Sequence, residues 1–163
     1  TDAGLAHLRE LKGLERLHLR STKVTDAGLA HLRELNALQA LDLRDTKVTD
    51  AGVAHLAGLS KLADLDLWDT RVGDAAMETV GKLGALTKLS LKNTKVTDAG
   101  VAKLAGLPKL ATLDLAGSKV GDGVLESLAK LESLKAVDLS FTGLSDGAVA
   151  KFREAAPGVK VTR

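Results

Sequence analysis

The chain of 163 residues has no cysteine, no tyrosine, one tryptophan and two phenylalanines. Without cysteine, disulfide staples, thiolate metal sites and thiol nucleophiles are excluded. Aromatic residues make up 2% of a sequence that is 45% hydrophobic, whereas a compact domain normally fills its core with Phe, Tyr and Trp as well as aliphatics. The core must therefore be aliphatic, and leucine alone occupies 32 positions. Charge of one sign is missing too. The 23 basic residues face 21 acidic ones for a net charge of +2, so the positive excess of a nucleic-acid binder is absent. No apolar run reaches the roughly 18 residues of a membrane span, and Thr1 does not open a signal peptide. These absences predict a soluble chain of one domain, with the compartment open and the cytoplasm as the default expectation.

What is present is a period. Thr-Asp-Ala-Gly opens at Thr1, Thr25, Thr49 and Thr97, and looser copies open at Gly73, Gly121 and Ser145, all on a 24-residue frame. The frame divides the chain into six full units, 1–144, and a partial unit, 145–163. Asp stands second in all seven: Asp2, Asp26, Asp50, Asp74, Asp98, Asp122 and Asp146. In the first unit, apolar residues fall at Leu5, Leu8, Leu11 and Leu14, then tighten to Leu17 and Leu19, with Val24 last. Spacing of three to four marks one face of a helix and spacing of two marks one face of a strand. Each unit is therefore predicted as a short helix followed by a short strand, and Pro108 agrees with a helix that has ended before it. The second-position Asp, or the Thr before it, is expected to cap the helix. A helix returning to a strand in the same sense each time gives parallel strands joined by right-handed crossovers. Stacked units then bury one continuous core.

The segment Leu14-x-x-Leu17-x-Leu19-x-x-Thr22-x-Val24 resembles the leucine-rich repeat signature, with Thr where many members carry Asn or Cys. The match returns at Leu38 to Val48, Leu62 to Val72, Leu86 to Val96 and Leu110 to Val120, and more loosely at Leu134 to Leu144. The helical half, Thr-Asp-Ala-Gly-Leu-Ala-x-Leu, is similar to the ribonuclease-inhibitor-like branch in its cysteine-free, bacterial form. A uniform 24-residue period is shorter than that of ribonuclease inhibitor, so inhibition of a ribonuclease is not implied. What the resemblance implies is an α/β leucine-rich-repeat solenoid, a right-handed β-α superhelix with a parallel sheet on the concave face and short helices on the convex face. It also implies that Thr22, Thr46, Thr70, Thr94, Ser118 and Thr142 form a hydroxyl ladder turned inward onto loop backbone, which suits a buried turn whose N–H and C=O groups need partners.

The chain starts at a helix cap, as an excised solenoid would. Its first strand, around Arg16 to Arg20, is expected to be uncovered, leaving room for an edge-paired dimer beside the expected monomer. At the other end Ala155-Ala156-Pro157-Gly158 breaks the pattern, and Val159 to Arg163 offers a last strand whose charge discourages further pairing.

Side chains between the buried strand leucines form rows, because neighbouring strands lie about 4.8 Å apart. One row reads His18, Asp42, Asp66, Ser90, Asp114 and Asp138; the next reads Arg20, Arg44, Trp68, Lys92, Ala116 and Ser140. A third, at the strand exits, reads Lys23, Lys47, Arg71, Lys95, Lys119 and Gly143. Acidic and basic stripes side by side keep a sheet soluble. Trp68 lies outside every core slot, and either Arg44 or Lys92 could stack on its indole. Trp and Arg dominate interface hot spots, so the expected partner-binding set is Arg20, Asp42, Arg44, Asp66, Trp68 and Lys92.

Chemistry has few footholds. Asp64, Asp66 and Asp69, beside Asp42 and Asp45, could invite a hard cation, but Arg44, Arg71 and Lys47 serve to offset the same charge, and no metal site is expected. His7, His31 and His55 share one position of three successive helices as a copied surface row. His18 beside Asp42 could form a base and its orienting group, yet no nucleophile joins them, and no glycine-rich phosphate loop follows a strand. The expectation is a non-enzymatic module without cofactors that binds a protein or peptide partner on the sheet, neither nucleic acid nor membrane. The competing expectation is a scaffold segment of a larger repeat protein with no ligand of its own.

Overall fold

A computed structural model describes residues 1–163. Helices and strands alternate without exception. They are α1 (Asp2–Ala6), β1 (Arg16–His18), α2 (Asp26–Leu29), β2 (Ala40–Asp42), α3 (Asp50–Ala54), β3 (Asp64–Asp66) and α4 (Ala76–Val80). There follow β4 (Lys88–Ser90), α5 (Asp98–Ala102), β5 (Thr112–Asp114), α6 (Val124–Leu128), β6 (Ala136–Asp138), α7 (Asp146–Ala155) and β7 (Lys160–Thr162). The seven strands form one parallel sheet in chain order. Leu17 pairs with Leu41, Leu41 with Leu65, Leu65 with Leu89, Leu89 with Leu113, and Leu113 with Val137, so the register of the sheet is the register of the sequence repeat. None of the helices is long and apolar enough to cross a membrane.

The helices are shorter than the apolar pattern suggests. After one turn of α1 the chain continues through tight turns, with Leu8 N–H donating to Leu5 C=O, Leu11 to Leu8 and Leu14 to Leu11. The apolar spacing of three is the spacing of these i→i+3 bonds, which set residues three apart one above the other. Leu5, Leu8, Leu11 and Leu14 and their counterparts therefore point the same way without a long helix. Together with the strand leucines they form one continuous core of 41 buried residues. Phe152 fills the eighth-position slot of α7 at 5% exposure, where five earlier units carry Leu and one carries Val80. Leu11 is 50% exposed while Leu35 and Leu59 are fully covered, because the first unit has a neighbour on one side only.

The second-position aspartates do something other than the expected capping of their own helices. Asp26 reaches the next unit, where its carboxylate accepts from Thr49 N–H at 2.7 Å and from Thr49 Oγ1 at 2.6 Å. Asp2 grips Thr25, Asp74 grips Thr97 and Asp122 grips Ser145 in the same way. The cap itself is the Thr or Ser: Thr49, Thr97 and Ser145 each accept a backbone N–H from their own first turn. Fourth-position glycine belongs to the same device. A Cβ at Gly28, Gly52 or Gly100 would overlap the carboxylate of Asp2, Asp26 or Asp74. Where a unit opens with Gly instead, as at Gly73 and Gly121, no hydroxyl is offered, the fourth residue is Ala76 or Val124, and the helix begins there.

The hydroxyl ladder is present, with each bond inside its own unit. Thr46 Oγ1 donates to Leu43 C=O at 2.7 Å, and Thr22, Thr70, Thr94 and Thr142 repeat the bond to the strand carbonyl three residues back. Ser118 is buried without a partner for its hydroxyl. The residue before each hydroxyl is left-handed: Ser21, Asp45, Asp69, Asn93, Gly117 and Phe141, with φ between 52° and 68°. Small, polar or glycine residues tolerate that backbone, but a bulky aromatic is strained there.

Two outcomes test these devices. Gly52→Ala is expected to destabilise the chain by about 2 kcal/mol through overpacking, and the loss to shrink by at least about 1 kcal/mol in an Asp26→Ala background, as a double-mutant cycle of denaturant unfolding would measure. Phe141→Asn is expected to raise stability by about 1 kcal/mol by relieving the left-handed strain, read as an increase in Tm.

Candidate partner-binding face

The parallel ladder uses the N–H groups of residues such as Leu43 and Asp45, which donate to Asp66 and Trp68 carbonyls across the next strand. The intervening N–H groups are left over, and the acidic row takes them. Asp42, Asp66, Asp114 and Asp138 accept through Oδ1 from the N–H of Arg44, Trp68, Ala116 and Ser140, two residues on in each case, at 2.9–3.1 Å. One oxygen of each carboxylate thus completes its own strand exit.

The remaining oxygens of Asp42 and Asp66 converge on Arg44. Its guanidinium donates to Asp42 at 3.0 and 2.6 Å, a two-point contact, and its Nε lies 3.3 Å from Asp66 Oδ2. This is the paired geometry in which arginine holds a carboxylate best. Burial opposes ionisation of Asp42, but the hydrogen bonds and charge of Arg44 outweigh it and lower its pKa. At Asp66 burial prevails and pushes the carboxyl up, despite the Trp68 N–H and Arg44. Arg44 fills the place between the two carboxylates that a cation would take, and no group of three or more His, Asp or Glu side chains converges as a metal site. His18 Nδ1 lies 3.7 Å from Asp42 Oδ2, beyond hydrogen-bond reach.

With Arg44 engaged, a different pair of cations flanks Trp68. Lys92 Nζ lies 5.0 Å from the ring centroid, and Arg20, reaching from two units away, places its guanidinium carbon at 5.9 Å. The indole is half-buried, not fully exposed as its outward position suggested, and its Nε1–H is buried without a partner. Arg20, Arg44 and Trp68, with Ser21, Asp45 and Asp69, line a shallow depression of about 170 Å³. A second, of about 120 Å³, is lined by His18, Asp42, Arg44, Asp64 and Asp66. All six expected residues therefore lie around one patch over β1 to β4, as a cation–indole–cation stack beside an Asp–Arg–Asp network.

Phe141, outside the expected partner-binding set, is 92% exposed. A readable signal was there: at the same place in the other units stand Ser, Asp, Asp, Asn and Gly, all turn formers.

Asp114 allows the structural role of the acidic row to be tested. Burial raises its pKa, with the charge of Asp138 adding and the Ala116 N–H and Lys92 opposing. A raised folded-state pKa contributes stability that is present in acid and lost as pH rises through that pKa. Asp114→Asn keeps the acceptor and removes the charge, so its stability relative to the native chain is expected to be higher at pH 7 than at pH 3.5. Asp114→Ala removes the same charge but also leaves the Ala116 N–H unsatisfied, so it is expected to lie about 1 kcal/mol below Asp114→Asn at both pH values, measured by thermal unfolding.

The family model described as Leucine Rich repeat matches residues 35–57 and 86–105. Two solved structures from Listeria monocytogenes str. 4b F2365 share the fold. An internalin, InlF, has 20% identity and a TM-score of 0.70 over 96% of this chain and 49% of its own. Internalin C2, InlC2, has 26% identity and a TM-score of 0.65 over 99% of this chain and 73% of its own. The chain thus spans about half the length of InlF. No curated protein sequence matches it. With the signature matched in two segments, and seven parallel strands stacked in one sheet at a 24-residue spacing, the chain has the leucine-rich-repeat solenoid fold.

Proposed function

We propose that the sheet face of this solenoid binds a protein or peptide partner, with the Arg20–Trp68–Lys92 stack as anchor and Asp42, Arg44 and Asp66 as its polar frame. The observation that carries the reading is the position of Trp68. It is the chain's one tryptophan, it stands on an outward row, and two cations hold its ring in place while its N–H goes unsatisfied. Packing of the solenoid does not require it there, since the equivalent places carry Arg, Lys, Ala and Ser. A pre-ordered aromatic beside arginine loses little freedom on binding, which is the property of an interface hot spot. The leucine-rich-repeat fold supports the same reading, because stacked units present an extended face for recognition.

A scaffold role is favoured by one observation, the use of Asp42, Asp66, Asp114 and Asp138 to complete their own strand exits. Catalysis finds no comparable support. Asp42 is engaged by Arg44, His18 stands out of reach of it, and no nucleophile adjoins the pair.

Trp68→Ala is expected to lower stability by less than about 2 kcal/mol, since the ring is only half-buried, and to weaken partner capture at least tenfold. The measurement is quantitative co-purification with the native chain, with Trp68→Ala, and with Lys130→Ala, an exposed substitution beyond α6 on the opposite side. Capture lost equally on both variants, or on neither, would favour the scaffold role.

A further inference from the structure

A second surface, separate from the Trp68 patch, lies along the edge where strands lead into helices. Lys23, Lys47, Arg71, Lys95 and Lys119 stand there in consecutive units, all exposed and none within an ion pair. Their backbones are fixed in register. Lys47 N–H donates to Val24 C=O, Arg71 to Val48, Lys95 to Val72, Lys119 to Val96 and Gly143 to Val120, at 2.9–3.3 Å. This second ladder, one bond per unit, sets the five cations at the strand repeat of about 4.8 Å. Side by side at that spacing they repel, and the counter-charge is uneven: an Asp follows each cation three residues on, but a second one precedes only two of them. Asp45 and Asp69 lie two residues before Lys47 and Arg71, whereas Ser21, Asn93 and Gly117 occupy the same place before Lys23, Lys95 and Lys119.

Where the row ends, at Gly143, Phe141 stands beside it. Its ring is 92% exposed, in a left-handed conformation with φ 58° that the other units assign to turn formers. Neither packing nor backbone preference accounts for the aromatic. Strain held at an exposed apolar side chain marks a position kept for contact with something else.

We infer that this edge docks an extended acidic segment of a protein partner, carboxylates along Lys95 and Lys119 and an apolar side chain against Phe141. Charge complementarity fixes the acidic character, and the aromatic beyond Lys119 fixes where the apolar residue sits. A polyanion such as a sulfated glycan would use the cations and have no need of Phe141.

The probes are two fluorescein-labelled peptides, one of eight glutamates and one of eight glutamates ending in leucine, with a sulfated oligosaccharide as third ligand, all followed by anisotropy. The leucine-ended peptide is expected to bind at least fivefold tighter than the plain one. Phe141→Asn, checked for folding by its thermal transition, should abolish that advantage, and Lys95→Glu with Lys119→Glu should weaken both peptides at least tenfold. Trp68→Ala should change none of these values, so that failure of the sheet-face reading and failure of this one give different results. Equal binding of the two peptides to the native chain would overturn the inference. So would an advantage that survives Phe141→Asn, or tighter binding of the oligosaccharide than of either peptide.

Discussion

The solenoid depends on a carboxylate that reaches forward. At each junction an aspartate at the second position of one unit accepts from the opening backbone N–H of the next, and takes that residue's hydroxyl as well where there is one. The sheet supplies a ladder on one side of each unit and the leucines fill the middle, while this bond, beside one backbone bond per unit to the residue before the opening, ties the helix openings together. It also dictates sequence around it: Thr to donate, Gly at the fourth position to make room, and a later-starting helix where Gly replaces Thr. A periodic chain can have a uniform spacing without a uniform bond. Here the two coincide, and the 24-residue period is enforced at the helix openings as firmly as in the sheet.

Much of the architecture was legible because period and register are the same quantity. Once Leu17, Leu41 and Leu65 are recognised as equivalent, parallel pairing at 24 residues follows, and so do the core slots and the outward rows. What stayed hidden were bonds that leave a unit. Sequence places Asp26 next to its own helix, and capping is what an isolated helix would ask of it; that it serves Thr49 depends on the depth at which units stack. The paired Gly52 carried the hint, since glycine in a helix is unfavourable unless something needs the space. Arg44 beside Trp68 was similarly misleading. Adjacency in one row suggested stacking, but two carboxylates within reach of one guanidinium form the stronger contact, and Arg20 arrives from two units away instead. The short helices were also foreseeable in principle, as a spacing of three without drift fits successive tight turns better than a 3.6-residue helix.

The charged rows of the sheet divide into groups with different obligations. The acidic row is largely committed to strand exits and to Arg44, and the cations beside it to Trp68. The row at the strand exits forms no ion pair, and only Lys47 and Arg71 within it have an acidic residue on both sides. Recognition surfaces on this fold are therefore found by subtracting the charges the backbone needs, and what remains is one stacked indole on the sheet and one strained phenylalanine on the edge.

The forward-reaching bonds are not equally numerous. Five junctions join through two donors each, whereas Asp98 has Gly121 N–H alone. That junction lies between the units carrying Trp68 and the unit carrying Phe141. At the helix opening this junction thus has one carboxylate bond fewer, and Ser133 Oγ donating to Pro108 C=O and Gly143 N–H donating to Val120 C=O help to hold it. A ligand spanning both patches would act as a splint across the one junction whose forward-reaching aspartate has a single donor.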